Sequence, residues 1–241
     1  MQKHTIAVII PCLDEELTIA SVIQDYHKAL PEAEIYVYDN DSTDHTAQQA
    51  VKAGAKIRFC TIPGKGAVLR QAFHEVNADI YVLTDGDGTY PPTMVREMIR
   101  LYMENPKSIV IGKRKNAKKH AVMSYSHAIG NRFLSVMFHA LYGFENIDVL
   151  SGSRIMGRDF VKSFPALYDG FETETEMALH AWMQHFDIQS LDVPYLDRPH
   201  GSQSKIHTVR DGIRIVKLAL AGRKGTVCSV SYTHLRAHET C

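Results

Sequence analysis

Residues 80–92 read Ile-Tyr-Val-Leu-Thr-Asp-Gly-Asp-Gly-Thr-Tyr-Pro-Pro. Ile80–Thr84 is an apolar run that reads as a strand. It stops at an acidic turn in which Asp85 and Asp87 stand two residues apart. Carboxylates so spaced can share one divalent cation, which would bridge to a diphosphate and neutralise it as it leaves. Asp and Gly also favour plain turns, so the pair takes its meaning from its position. Open α/β sheets bind ligands beyond the carboxyl ends of their strands. Gly86 and Gly88 let the backbone come close to such a ligand.

The same alternation of strand and helix continues on either side. Ile6–Ile10 is β-branched and continuous, the mark of a strand buried on both faces. A helix is expected from Asp14 or Glu15 to about Leu30, with Ile19, Val22, Ile23 and Tyr26 at helical spacing. Ile35–Tyr38 and Ile57–Thr61 are the next strands, separated by a helix that Ser42 or Thr43 caps and Gly54 stops. Gly66–Val76 is a third helix. Pro92 suits the first turn of a fourth, carrying Met94, Met98 and Leu101, and Ile109–Ile111 is a fifth strand. The pattern predicts a mostly parallel, Rossmann-like α/β sheet flanked by helices.

The second half predicts amphipathic helices over Met123–Tyr142, Gly170–His185 and Thr208–Leu220, and a strand over Ile188–Tyr195. No repeat or linker divides the chain, so residues 1–222 form one domain. Residues 223–241 are set apart as a disordered or artefactual tail. From about residue 229 it looks like a sequencing adapter translated in one frame.

With 27 basic against 27 acidic residues, no global charge argues for a nucleic-acid partner. Four cysteines without a C-x-x-C pair or a nearby His at zinc spacing argue against a disulfide scaffold and fit a cytosolic compartment. The apolar run at the N-terminus is too short for a signal peptide, and no stretch is long enough to span a bilayer. The chain is expected to be soluble or peripheral at a membrane.

Two further acidic loops follow strands at the same sheet edge: Pro11-Cys12-Leu13-Asp14-Glu15-Glu16 and Asp39-Asn40-Asp41-Ser42-Thr43-Asp44. Each could be a simple helix cap. Three acidic loops together repel unless a cation or hydrogen-bond donors lie between them. A bound metal and nucleotide are the expected source of both, with Lys65 of the PGKG turn meeting a phosphate.

The ordered set IIPCLDEE, VYDNDSTD, GKG, TDGDGTYPP, DVLSGSR, GFETETEM and R-x-x-G-x-S-x-S-K resembles family 2 glycosyltransferases of the GT-A fold. It is most similar to the branch of dolichol-phosphate mannosyltransferase and bacterial polyprenyl-phosphate glycosyltransferases. The resemblance covers about Ile6–Leu220. It implies that Pro11, Asp14 or Glu15, and Asp39 hold the nucleotide. Asp85 would contact ribose or metal, and Asp87 would ligate Mg²⁺ or Mn²⁺. Asp14 stands where the family usually has Asn, and Asn40-Asp41 replaces a frequent Asp-Gly.

The same resemblance places Arg114, Arg132, Arg198 and Lys205 in segments folded over the active site, where Arg forks suit phosphate oxygens. Ser202 and Ser204 either bind phosphate or shape a turn. The basic run Lys113–Lys119 is a solvated loop or a contact for anionic lipid head groups. Glu174 or Glu172 is expected near the donor sugar. Asp148 and Glu174 are the candidate bases for an alcohol acceptor. A phosphate-monoester acceptor needs none, because its second pKa near 6 leaves it largely dianionic at neutral pH.

The expected activity is inverting, metal-dependent transfer of a hexose from a GDP- or UDP-sugar to a polyprenyl or dolichyl phosphate at the cytoplasmic membrane face. The alternatives are a soluble sugar or protein acceptor, and a truncated nucleotide-sugar-binding module without turnover. The loop after the first strand lacks the G-x-G-T-R of nucleotidyltransferases, and no G-x-G-x-x-G marks a dehydrogenase.

Overall fold

The computed structural model describes residues 4–116, 134, 136–144, 147–199, 201 and 208–223. The strands are β1 (Ile6–Cys12), β2 (Glu34–Asp39), β3 (Lys56–Phe59), β4 (Ile80–Leu83), β5 (Ser108–Asn116), β6 (Arg154–Gly157) and β7 (Asp187–Tyr195). The helices are α1 (Ile19–Ala29), α2 (Thr46–Lys52), α3 (Lys65–Glu75), α4 (Val95–Glu104), α5 (Arg158–Ser163), α6 (Thr173–Met183) and α7 (Thr208–Arg223). A single 3₁₀ turn, Pro92–Met94, leads into α4, and residues 136–142 are also helical.

The strands form one sheet in the order β3-β2-β1-β4-β6-β5-β7. The first four run parallel, with Cys12 beside Asp39 and Ile9 beside Leu83. β6 is the one reversed strand, antiparallel to both β4 and β5, and β5 and β7 are again parallel. This is the expected α/β sheet, with β6 added. The four residues of β6 offer no period of their own and begin with a charged Arg154, so no strand was expected there.

Helices cover both faces. On one, α1, α4 and β-branched strand residues such as Val8, Ile10 and Val37 are buried together. On the other, α3, α5, α6, part of α7 and the 136–142 helix meet Ile9, Tyr38 and Tyr81. Leu134, Phe138 and Tyr142 belong to this second core, so that end of the expected Met123–Tyr142 helix packs inward. Residues 117–133 lie outside the described residues, as do the tail from 224 and the basic run beyond Asn116.

The first helix starts later than expected. Asp14 takes a positive φ of 50°, and the Glu15 carbonyl receives Thr18 N and Ile19 N in a turn, so α1 begins at Ile19. Residues 41–45 likewise stay in a loop before Thr46. Asp41 has a φ of 64°, in the left-handed region that Asn, Asp and Gly enter most readily. That is the conformation the family's usual Gly would provide there. β5 runs on to Asn116, well past the expected Ile111, because β7 pairs with it along its whole length.

Candidate active site

The parallel strands bring the acidic loops to one edge. Asp39 ends β2 directly beside Cys12 of β1, and Asn40 N bonds to Cys12 O at 2.8 Å. The turn after β4 is docked on the loop after β1 by Thr18, whose hydroxyl donates to Gly86 O at 2.7 Å. Burial pushes the Cys12 thiol pKa well up, and the charges of Glu15, Asp39, Asp85 and Asp87 push it further. Four carboxylates from three loops therefore surround one buried thiol. Gly86 serves this packing: a Cβ there would strike Cys12 Sγ.

Each acid has a distinct set of partners. Asp39 is buried and accepts hydrogen bonds from the Ser42 backbone N–H, at 3.1 Å, and from its hydroxyl. Asp14 caps the neighbouring loop, its Oδ1 receiving Thr43 N at 2.8 Å. The charge it adds relative to Asn is thus directed at the 42–43 turn. Glu15 is buried, with its backbone N–H donating to Thr46 Oγ1 at 2.7 Å. Asp87 is buried too, and its Oδ1 takes both Thr89 N, at 2.9 Å, and Thr89 Oγ1, at 2.6 Å. Burial and the nearby Asp85 raise the Asp87 pKa, while Arg198 and Thr89 oppose them.

The charges facing these acids come from the chain itself. Lys65, the first residue of α3, places Nζ 2.5 Å from Asp85 Oδ1 and 2.6 Å from Glu174 Oε1. Burial works against its charge, but Asp85 and then Glu174 outweigh it and raise the Lys65 pKa. Arg198, after β7, has Nη2 2.5 Å from Asp87 Oδ2 and Nη1 3.6 Å from Glu15 Oε1. Arg114 of β5 grips both oxygens of Asp148, at 2.6 and 2.8 Å. The counter-charge expected from a bound cation and nucleotide is therefore supplied in part by the chain itself. In this structure Lys65 and Arg198 sit against Asp85, Asp87 and Glu15, and Arg114 against Asp148, while Asp39 and Asp14 accept hydrogen bonds from Ser42 and Thr43.

Backbone contacts hold these side chains in place. Asn40 Nδ2 donates to Cys60 O and Ile62 O, each at 2.8 Å, and Gly64 N donates to Asn40 Oδ1 at 2.7 Å. That fixes the loop into Lys65. Gly66 N meets Asp169 O at 2.7 Å, and any Cβ at Gly66 would collide with the Tyr168 carbonyl, which explains the small residue there. Gly152 is pressed against Asp85 in the same way: a Cβ would enter the space of its carboxylate.

Several residues of the site carried no signal of their own in the sequence. Tyr90 is buried and its hydroxyl receives Gly152 N at 3.1 Å. Arg154 is fully buried, with Nε donating to Ser151 O at 3.1 Å and Nη2 to Val149 O at 2.6 Å. Burial lowers its pKa, opposed first by Glu174 and then by Asp148. Tyr90 sits inside TDGDGTYPP and Arg154 inside DVLSGSR, so the motifs contained both without disclosing their contacts. Glu172 lies 3.8 Å from Arg214. Pro11 is half-buried at the end of β1. Arg132, Ser202, Ser204 and Lys205 lie outside the described residues.

A mostly parallel sheet whose strand ends gather carboxylates with Lys and Arg side chains has the layout of a nucleotide-binding α/β protein. The description "Glycosyl transferase family 2" matches residues 7–161, and the chain belongs to that family. It is a glycosyltransferase that uses nucleotide sugars. Protein RfbJ of Shigella flexneri is 48% identical over 112 residues, which are 46% of this chain and 87% of that one. Glycosyltransferase AglJ of Haloferax volcanii is 32% identical over 208 residues, covering 86% of this chain and 68% of its own. Among solved structures, the fold resembles glucosyl-3-phosphoglycerate synthase from Mycobacterium tuberculosis in complex with Mn²⁺, UDP-glucose and phosphoglyceric acid. The TM-score is 0.76 at 21% identity, over 92% of this chain and 80% of that one.

Proposed function

We propose that this chain transfers a hexose, with inversion, from a nucleotide diphosphate sugar to a polyprenyl phosphate at the cytoplasmic face of a membrane, with Mg²⁺ or Mn²⁺. One observation carries the reading: Asp85, Asp148 and Asp87 each meet a basic side chain of phosphate-binding type. Lys65, Arg114 and Arg198 occupy those positions.

The donor set fits a hard divalent cation. Among the described residues no group of three or more His, Cys, Asp or Glu could hold a metal ion, so the chain supplies the two carboxylates Asp85 and Asp87 and no full cage. Mg²⁺-type ions suit this arrangement, since they complete their shell with water and substrate phosphates. A cation held there would stabilise the departing nucleoside diphosphate. Lys65 and Arg198 add positive charge beside it, and Asp39 accepts hydrogen bonds from the nucleoside.

Both candidate bases are held by cations of the chain, although burial raises the Glu174 pKa. Asp148 has both oxygens engaged by Arg114, and Glu174 is bonded to Lys65. This favours an acceptor already ionised in water, as a phosphate monoester is. Among the described residues no helix is long and apolar enough to cross a membrane. The second reading is a soluble acceptor, favoured by the fold's likeness to a synthase crystallised with phosphoglyceric acid. Incubation with radiolabelled UDP- or GDP-hexose and polyprenyl phosphate separates them. The proposal expects label in the organic phase. Label found only on a water-soluble acceptor overturns the lipid reading.

A further inference from the structure

Asp87 divides its two oxygens between different jobs. Oδ1 is fixed by the N–H and hydroxyl of Thr89, while Oδ2 is given to Arg198 Nη2 at 2.5 Å. The same guanidinium reaches Glu15 at 3.6 Å. Both acids are buried, whereas Arg198 is 27% exposed and lies on the segment after β7. That segment is docked on the turn by Leu196 N, which donates to Thr89 O at 2.9 Å. Lys65, by contrast, is 8% exposed and shared by two acids from different elements. Arg198 is the more exposed of these two cations.

A carboxylate as buried as Asp87 is costly without a counter-charge, and a guanidinium withdrawn from two acids needs another anion. A diphosphate is that anion, because its oxygens suit the Arg fork. We propose that Arg198 is the resident counter-ion of Asp87 and gives it up only in exchange for a diphosphate. A divalent cation and a nucleoside diphosphate are then loaded as a pair, not cation first. The inference rests on reading Asp87 as a metal ligand. It adds that the chain's own arginine competes for the same oxygen. By linkage, whatever draws Arg198 away tightens cation binding, and the cation tightens diphosphate binding by the same factor.

The test is a titration of Mn²⁺ against the full chain, alone and with UDP or GDP, read by the electron paramagnetic resonance of free Mn²⁺. The parent should bind Mn²⁺ alone weakly and gain about tenfold or more with a nucleoside diphosphate. Arg198→Gln should bind Mn²⁺ alone about tenfold tighter, and its gain from nucleotide should shrink by a similar factor. Arg198→Lys, which keeps one charge, should fall between them. Arg96→Gln removes an equal charge from an exposed pair with Glu32 and should match the parent. If Arg198→Gln binds Mn²⁺ alone no tighter than the parent, the exchange is wrong. Asp87→Asn separates the two failures. If it loses Mn²⁺ while Arg198→Gln gains nothing, only the exchange falls. If Asp87→Asn binds Mn²⁺ as the parent does, the metal reading of Asp87 falls with it.

Discussion

Lys65 is deeply held, its side chain 8% exposed between Asp85 and Glu174. Removing one partner of a buried ion pair leaves the others uncompensated, which typically costs about 3–5 kcal/mol. Lys65→Met is therefore expected to destabilise the chain by about that amount in chemical denaturation. Arg100→Ala, which cuts an exposed network with Glu97 and Glu104, should change stability far less. Equal effects would show that the Lys65 cluster is not holding the site together. The sequence disclosed that a lysine follows the Gly64 turn and that acids lie at strand ends. It did not disclose that Lys65 pairs with Glu174, 109 residues away, because no local pattern encodes a tertiary partner.

At the level of elements, α6 carries two oppositely perturbed groups. His180 sits among Phe160 and Phe164, bonded through Nε2 to Ser163 at 3.0 Å, and burial lowers its pKa from 6.5 to about 4. Burial raises Glu176 from 4.5 to about 7, even though its carboxylate accepts Leu167 N and Tyr168 N. Between about pH 4 and 6.5 the unfolded chain binds the extra proton at His180, so that stability rises with pH and is lost below the window. Between about 4.5 and 7 the folded chain binds the extra proton at Glu176, so that stability falls as pH rises. Each is worth on the order of 3 kcal/mol, and the two largely cancel. Urea midpoints across pH 4–8 should then be nearly flat in the parent, fall with pH in His180→Phe, and rise with pH in Glu176→Gln. Unchanged slopes in both variants would contradict the burial argument.

Legibility at this scale followed length and periodicity. Helices such as α3 and strands such as β1 and β4 announced themselves by apolar spacing. β6 did not, being four residues long and recognisable only by its partners β4 and β5. The start of α1 was misplaced because good helix residues at 15–17 follow an Asp14 whose backbone is left-handed.

In the whole molecule, the order β3-β2-β1-β4 is what unites the acids. Parallel pairing sets Asp39 beside Cys12 and brings the turn after β4 to the same edge. The alternation of strand and helix made that much legible from the sequence, and so was the family. The counter-charges were not, since Arg114 and Arg198 reach the site from β5 and from the segment after β7, far along the chain. We propose that this shared edge binds a nucleotide sugar through a divalent cation at Asp87. Calorimetric titration of UDP- and GDP-sugars, with Mn²⁺ and with EDTA, into the parent and Asp87→Ala tests it most directly. The account predicts one nucleotide sugar bound per chain only when Mn²⁺ is present, and affinity lower by about a hundredfold in Asp87→Ala at unchanged circular dichroism. Equal binding by parent and variant, or binding indifferent to EDTA, would contradict it.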